Sequence, residues 1–502
     1  MRTSDKYILA IDQGTSGTKS LVFSSEAKPM AKGYTSLRSQ FPQTGFVEQD
    51  PEEIYQTVLS SVKECLKEFT KRGLSISDIH TCGITNQRET FLLWDHYANP
   101  LTEAVVWQCK RSVEVCQRLK QQGWELEIRE RTGLLIDPYF SGTKLLWLIE
   151  NEYGLKEKMD AGEVYFGTVD TWILYRLTGG KSYLTDVTNA CRTMLFNIND
   201  LEWDSYLAEQ FGLDSLNLPG VVHSGFDFGE TTFEGLLDRP IPIEGMIGDS
   251  HAAAFGERCF EKGTAKATLG TGSSILMNTG DERFATVQGL LGTLCWSTHE
   301  TVAYGLEGAI VSAGSTLEWL KNQLGLFEDA SQIREICREV GTSGGVMILP
   351  AFSGMGAPFW NMDVRGKIAG LTFGSDKRHV IFAAVESIPF QIKAVIDTIH
   401  EAAGIELKEL NADGGISKNE LVMQMLSDLL KIKVNNPGFE DVSAWGTATI
   451  AGLKNGIFRS MDHLCELQHK VKVYTPGTGT TEIEQSYQRW NNWIVHELEQ
   501  HK

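Results

Sequence analysis

The sequence predicts an α/β protein built from two related halves, and three observations carry that expectation. A glycine turn between apolar runs appears twice, as Ala10-Ile11-Asp12-Gln13-Gly14-Thr15-Ser16-Gly17-Thr18 and as Thr268-Leu269-Gly270-Thr271-Gly272-Ser273-Ser274. Strand-like and helix-like patterns alternate along the chain, as they do where helices cover a largely parallel sheet. A stretch rich in Gly and Pro, residues 219–248, stands between the two copies and places the change of domain just after it, with domains over 1–253 and 254–502.

The elements follow in order. Tyr7 to Ile11 reads as a first strand, and the Gly-Thr turn folds the chain back into an apolar run from Ser20 to Phe23. Pro51 to Phe69 has helical spacing. Ile79 to Thr85, Phe91 to Trp94 and Ala104 to Trp107 read as strands, whereas Ser112 to Gln122 and Gly142 to Asn151 return to the helical period. After the linker, the second turn leads out through Ile275 to Met277, and hairpins continue to about Gly308. A helix over Ser312 to Leu324, a loop and strands to Phe373, and a helix over His379 to Ala403 come next. A strand with a Gly-Gly turn at Asp413 to Gly415 and a helix over Asn419 to Leu430 complete the pattern.

Composition narrows the class of function. A chain of 502 residues with 42% apolar content can bury large cores in about two to three domains. The first residues run into a strand without an apolar leader, and no unbroken apolar run reaches membrane-spanning length, so a cytoplasmic protein with no membrane insertion is expected. Nine cysteines without a Cys-x-x-Cys pair point to reduced, mostly buried thiols rather than a disulfide framework or a zinc site. A formal net charge of −19 repels polyanions and argues against a nucleic-acid partner. A single nucleotide can still be held by local N–H groups and one lysine, for which Lys19 is the candidate. A homo-oligomer is left open.

A Gly-Thr turn lets backbone N–H groups and hydroxyls converge on an anion with no side chain in the way. Any tight turn uses glycine for conformational reasons, so one copy says little. Two copies half a chain apart suggest two phosphate loops around one nucleotide. Asp12, where the first strand ends, would then be placed to hold a magnesium-bound water. Neither a Gly-x-x-x-x-Gly-Lys-Ser/Thr string nor the protein-kinase motif set is present.

Asp249, in Gly248-Asp249-Ser250-His251, opens an alanine-rich helix, where Asp is commonly just an N-cap. Its place at the domain change, near the second turn, also suits a base for a substrate hydroxyl. His251, in the first helical turn, reads as a packing histidine. Asn86-Gln87-Arg88-Glu89-Thr90 ends a strand with an ion pair, which at a surface is worth little; in a pocket, Arg88 would donate and Glu89 accept, fixing vicinal hydroxyls. Trp107 and Tyr139 are core aromatics or flat walls for a carbon chain.

These segments, together with Val106-Trp107-Gln108-Cys109, Asp137-Pro138-Tyr139-Phe140-Ser141-Gly142-Thr143-Lys144, Phe166-Gly167-Thr168-Val169-Asp170-Thr171-Trp172 and Asp413-Gly414-Gly415, come in the order found in the FGGY carbohydrate kinases. The chain resembles that family over nearly its whole length, and within it the glycerol kinases. Its two signatures fall around Tyr139 to Asn151, with Lys144 and Trp147, and from Gly366 to Glu386. The resemblance implies two actin-like, ribonuclease-H-like domains closing on ATP and magnesium. It implies phosphate contacts at Thr15, Ser16, Gly17, Lys19 and Thr271, and an adenosine side at Gly314, Glu318, Gly415 and Asn419, with Glu318 where relatives commonly carry Gln. Polyol contacts fall on Arg88, Glu89, Trp107, Tyr139 and Asp249, with Asp249 as base and Asp12 at the metal. Positioning and charge stabilisation do most of the work in such a transfer.

Two positions depart from the glycerol-kinase pattern. Ser250 stands where a Gln contacts glycerol, and Ser274 where an aromatic follows the second turn. Both shrink a side chain and add a hydroxyl, so the pocket is expected to be roomier and wetter. The resemblance implies an ATP-dependent polyol kinase, with glycerol first, erythritol or threitol next and a ketose such as xylulose third. A non-catalytic actin-like nucleotide and polyol sensor is the alternative of a different class, against which Asp12 and Asp249 speak. The loop before Pro240-Ile241-Pro242 lacks the Gly-Gly-Thr-Arg pattern and the modifiable histidine of regulated relatives, so no response to fructose bisphosphate or a phosphorylated carrier is expected.

Overall fold

In the computed structural model, which describes residues 6–284, 287, 289–467, 471–477 and 480–500, each glycine turn is the tip of a hairpin inside its own sheet. The first hairpin joins β1 (Tyr7–Gly14) to β2 (Gly17–Ser24), with Gly14 opposite Gly17 across the tip residues Thr15 and Ser16. A Cβ at Gly17 would lie 2.5 Å from the Thr35 carbonyl oxygen, so the turn closes only on glycine. β3 (Pro29–Ser36) continues the meander. α1 (Pro51–Lys71) starts on a proline, and the Asp50 carboxylate accepts from the N–H groups of Glu52 and Glu53. Its buried stripe, Ile54, Val58, Val62 and Phe69, lies in the same core as β1.

β4 (Ile79–Asn86) runs parallel to β1, and the edge strand β5 (Glu230–Thr231) leads into β6 (Ile241–Gly248), parallel to β4. The sheet order is β5-β6-β4-β1-β2-β3. Between β4 and β5 the chain builds a smaller unit of short strands (Phe91–Trp94, Ala104–Val105, Tyr165–Thr168) and helices such as Ser141–Asn151, with a core of its own around Leu93, Phe140, Leu145 and Phe166.

α2 (Asp249–Gly256) carries the chain out of the first sheet, and the division expected between residues 253 and 254 lies inside this helix. The second sheet contains β7 (Thr264–Leu269), β8 (Ser273–Gly280), β9 (Leu291–Ser297) and β10 (Val302–Ile310). After them come α3 (Gly314–Asn322), α4 (Lys377–Ala403), β11 (Glu409–Asp413), α5 (Glu420–Leu430), β12 (Val434–Asn436), α6 (Val442–Asn455) and β13 (Lys472–Tyr474). The order is β9-β10-β8-β7-β11-β12-β13. Antiparallel β7, β8 and β10 repeat β1, β2 and β3, and parallel β7, β11 and β12 repeat β1, β4 and β6. The duplication read from two turns is therefore a duplication of topology.

Two local readings shift. The strand expected to reach Trp107 ends at Val105, where the chain turns and the Trp107 N–H donates to Thr90 Oγ1. The helix expected from Ser312 starts at Gly314, because the N–H groups of Ala313, Gly314 and Ser315 donate to the carbonyls of Thr271, Gly270 and Thr271 in the second turn. α4 is long and apolar enough to span a membrane by length and composition, but 83% of its most apolar window is buried, with Val385, Ile388, Ile392 and Val395 in the second core.

α6 belongs by sequence to the second half and packs on the first sheet. A Cβ at Gly83 in β4 would lie 2.7 Å from the Thr447 carbonyl oxygen, and one at Gly446 only 1.7 Å from that of Ala252 in α2. Gly446→Ala is therefore expected to force the α2–α6 contact apart at a cost of roughly 1–3 kcal/mol or more. A lowered urea midpoint would register it; an unchanged midpoint would mean that the two helices separate freely.

Candidate active site

Four buried charged side chains, three from the first half and Glu307 from the second, form a charged floor where the two halves meet. Arg88 Nη2 donates to Glu307 Oε1 at 2.9 Å and Nη1 to Oε2 at 3.2 Å. Arg192 Nε donates to Glu89 Oε1 at 2.6 Å, and Arg192 Nη1 lies 2.8 Å from Glu307 Oε2. Each of the four is no more than 6% exposed. Two arginines and two glutamates cancel, which is how so many charges persist away from water. Burial opposes charging Arg88, but Glu307 and then Glu89 hold its pKa well above the ordinary value. Burial likewise opposes ionising Glu307, yet Arg192 and Arg88 hold it well below the usual carboxylate range. At Glu89 burial wins and the pKa rises. The surface ion pair considered for Arg88 and Glu89 is thus replaced by buried pairs with other partners. Glu89 has a left-handed backbone, φ 60°, which turns the chain sharply after Arg88 at a conformational cost met by the surrounding bonds.

Asp249 stands at the mouth of this floor. Gly248 occupies the N-cap position of α2 and Asp249 the first turn, where Oδ1 accepts from the Ser250 N–H at 2.7 Å and Oδ2 is left without a protein partner among the described residues. Asp249 Oδ1 lies 3.3 Å from Arg88 Nε, and the side chain keeps 41% of its surface open, against 5% for Arg88. Gly248 makes this possible, since a Cβ there would meet Arg88 Cγ at 2.7 Å. His251 is buried, contacts Thr293 Oγ1 through Nε2 at 3.3 Å, and is pushed well below its ordinary pKa by burial and by Arg88, as befits a neutral packing histidine. Asp12, at the end of β1, is raised from its ordinary 3.8 to about 6, chiefly by burial, against the pull of Lys19, with Asp249 raising it further.

The half-buried rings of Trp107 and Tyr139 meet edge to face at 5.6 Å. Trp107 Nε1 donates to Thr15 Oγ1 at 2.9 Å, tying that wall to the first turn. Lys144, fully buried, fastens both aromatic segments by donating to the carbonyls of Tyr139 at 2.8 Å and Val106 at 3.4 Å. Burial brings its pKa down to about 7.

Around the first turn, Ser16 is exposed and its carbonyl accepts from Leu37 N–H and the Tyr34 hydroxyl. Lys19 faces Asp12 across the hairpin and lies 3.1 Å from Asp441 Oδ1, a carboxylate it shares with Lys32. Around the second turn, Thr271 is exposed at the tip, and Gly314 lies so close to Gly270 that a Cβ would meet its carbonyl oxygen at 2.7 Å. Gly414, with φ 88°, presses against Leu269 in the same way, which brings the exposed Gly415 beside this turn. Glu318 lies exposed one turn along α3, accepting from Asn322, and Asn419 caps α5 by accepting from Leu421 N–H.

Sequence reasoning missed Arg192, Glu307, Lys266 and Asp441. Glu307 and Lys266 carried a signal, each being a charge inside an otherwise uncharged β-strand, in Leu306-Glu307-Gly308 and Ala265-Lys266-Ala267. A cavity of about 680 Å³ lies elsewhere in the second half, bounded by Arg334, Arg338, Glu386, Glu420, Asp428 and Lys472. Arg334 and Lys472 are both spent on Glu420, and none of the charged floor reaches this cavity.

Residues 7–256 match the N-terminal domain of the FGGY family of carbohydrate kinases, and residues 265–454 match its C-terminal domain. The chain is 42% identical over 492 residues to a glycerol kinase of Vibrio vulnificus, covering 98% of this chain and 96% of that one. It is 39% identical over 490 residues to a glycerol kinase of Halothermothrix orenii, covering 97% and 98%. Among solved structures it is similar to Plasmodium falciparum glycerol kinase with ADP, at a TM-score of 0.92 and 33% identity over 98% of each chain. A xylulose kinase from Lactobacillus acidophilus, at 20% identity and a TM-score of 0.86 over 98% of each chain, shares the fold.

Proposed function

The chain belongs to the FGGY family of carbohydrate kinases, and on that premise we propose that it transfers the γ-phosphoryl group of ATP to a terminal hydroxyl of glycerol, giving glycerol 3-phosphate. The observation that carries the reading is the one open carboxylate, Asp249, beside a buried and internally neutral set of arginines and glutamates. Arg88 and Glu89 hold two adjacent hydroxyls, with Trp107 and Tyr139 flanking the carbon chain. Asp249 takes the proton of the third hydroxyl as its oxygen attacks phosphorus. Thr15, Ser16, Gly17, Lys19 and Thr271 receive the phosphates, and Gly314, Glu318, Gly415 and Asn419 the adenosine. Lys19 reaches a phosphate by exchanging part of its contact with Asp441. Eight of the nine cysteines are buried free thiols, which suits a cytoplasmic enzyme.

Among the described residues no group of three His, Cys, Asp or Glu side chains is placed to hold a metal ion. The charge of Asp249 raises the cost of ionising Asp12, and hard carboxylate oxygens of this kind fit magnesium bound mainly by water and phosphates. Asp12 would hold that ion through water, and the ion would neutralise charge on the phosphates. ADP release with glycerol, ATP and magnesium tests the reading, and its absence with every polyol and sugar tried refutes it.

Asp12 also predicts a pH dependence. Because its folded pKa lies above the ordinary value, the native state binds the extra proton between about pH 4 and 6, and stability falls as pH rises through that window. Activity moves oppositely, rising with pH as the carboxylate ionises, and a bound magnesium would favour the ionised form. Asp12→Asn is expected to raise the melting temperature at pH 7.5 through a gain on the order of 1–2 kcal/mol, while turnover collapses. A destabilised variant in a thermal melt would contradict this assignment.

A further inference from the structure

Two serines beside the Arg88–Glu307 pair have a fixed hydrogen-bond polarity. Lys266, 1% exposed in β7, donates from Nζ to Ser250 Oγ at 2.7 Å. An ammonium can only donate, so Ser250 must accept from it and turn its own proton elsewhere. Ser274 Oγ donates to Glu307 Oε1 at 3.0 Å, and Glu307, held ionised by Arg192 and Arg88, can only accept. The Ser274 oxygen is left with acceptor capacity. The two serine oxygens face each other at 3.4 Å, well beyond the ~2.7–2.8 Å usual for hydroxyl pairs. A donor and an acceptor are therefore held slightly too far apart to satisfy each other.

A third hydroxyl, being donor and acceptor at once, completes both. Resting on the kinase reading above, the count of partners decides which hydroxyl that is: Arg88 and Glu89 take two and Asp249 the reacting one, which uses all three of glycerol. We propose that the Ser250–Ser274 pair, polarised by Lys266 and Glu307, recognises a fourth hydroxyl, so that this enzyme phosphorylates four-carbon polyols as well as glycerol. Lys266 acts through Ser250 and is a positioning residue.

The test measures kcat/KM for glycerol, erythritol and threitol on the full chain, before and after Ser274→Ala and Lys266→Met. The wild type is expected to use at least one tetritol within about tenfold of glycerol. Each substitution is expected to lower the tetritol-to-glycerol ratio about tenfold or more, mainly through KM, because a site built to bond a hydroxyl loses that discrimination when a partner is removed. The ratio is internal to each variant, so partial loss of folded enzyme cancels; if Lys266→Met does not fold, Ser274→Ala decides. Turnover of glycerol with no tetritol activity, or ratios unchanged by Ser274→Ala, overturns the proposal and leaves the kinase reading intact. No turnover of any polyol overturns the kinase reading itself.

Discussion

Asp249→Asn is expected to lower kcat by about 10²–10⁴-fold with little change in stability. The exchange is nearly isosteric, and three features of the site predict that the fold survives it. Gly248, not Asp249, fills the cap position of α2; the side chain keeps 41% of its surface open; and Arg88 retains Glu307 as its principal partner. What disappears is a negative charge able to accept a proton beside a hydroxyl held by Arg88. Single-turnover rates with glycerol, set beside ADP affinity and a thermal melt, separate these effects. A kcat within tenfold of wild type would remove Asp249 from the role of base, and a lost melt transition would make its role structural.

Glu307→Gln is expected to be the most damaging change to stability, costing roughly 3–5 kcal/mol. Glu307 accepts from Arg88 and lies against Arg192, both almost wholly buried, and the remaining buried carboxylate, Glu89, with the half-open Asp249 at the edge, does not balance two buried guanidinium groups. The variant leaves an uncompensated positive charge in the interior, which is far costlier than losing a surface pair. It also removes the acceptor that orients Ser274. The urea midpoint should fall sharply and KM for the polyol should rise. A loss below about 1 kcal/mol would show that water reaches these groups and that the floor is not dry.

Much of the architecture was legible in the sequence because the cues were local. Two Gly-Thr turns gave two hairpins, and the sheets around them repeat in topology, with one extra edge strand, β9, in the second. Apolar runs such as Phe91–Trp94 and the stripe of Pro51–Lys71 marked their elements closely, since core burial sets both patterns. Arg88, Glu89, Trp107, Tyr139 and Asp249 were singled out, and the structure places Asp249 beside Arg88 and Trp107 against Tyr139. Their partners were not legible, since Arg192 comes from a separate short-strand unit and Glu307 from the other sheet, and nothing near Arg88 in sequence announces either. The start of α3 was misplaced for a similar reason: its first N–H groups answer to carbonyls of a turn more than forty residues earlier. The crossing of α6 onto the first sheet had no periodic signal, because it depends on missing side chains at Gly83 and Gly446 rather than on apolar ones.

That crossing joins the halves by bare backbone. Side chains at a junction can change rotamer and soften a displacement, but Gly446 meets the Ala252 carbonyl with nothing in between. The contact is backbone on backbone, so it has no rotamer with which to absorb a shift of α6 against α2. Three residues upstream of Ala252, on the same short helix, is Asp249. The proposed base is thus geared to the half that carries the second turn, and the geometry of its proton transfer is set partly by a residue that has no side chain at all.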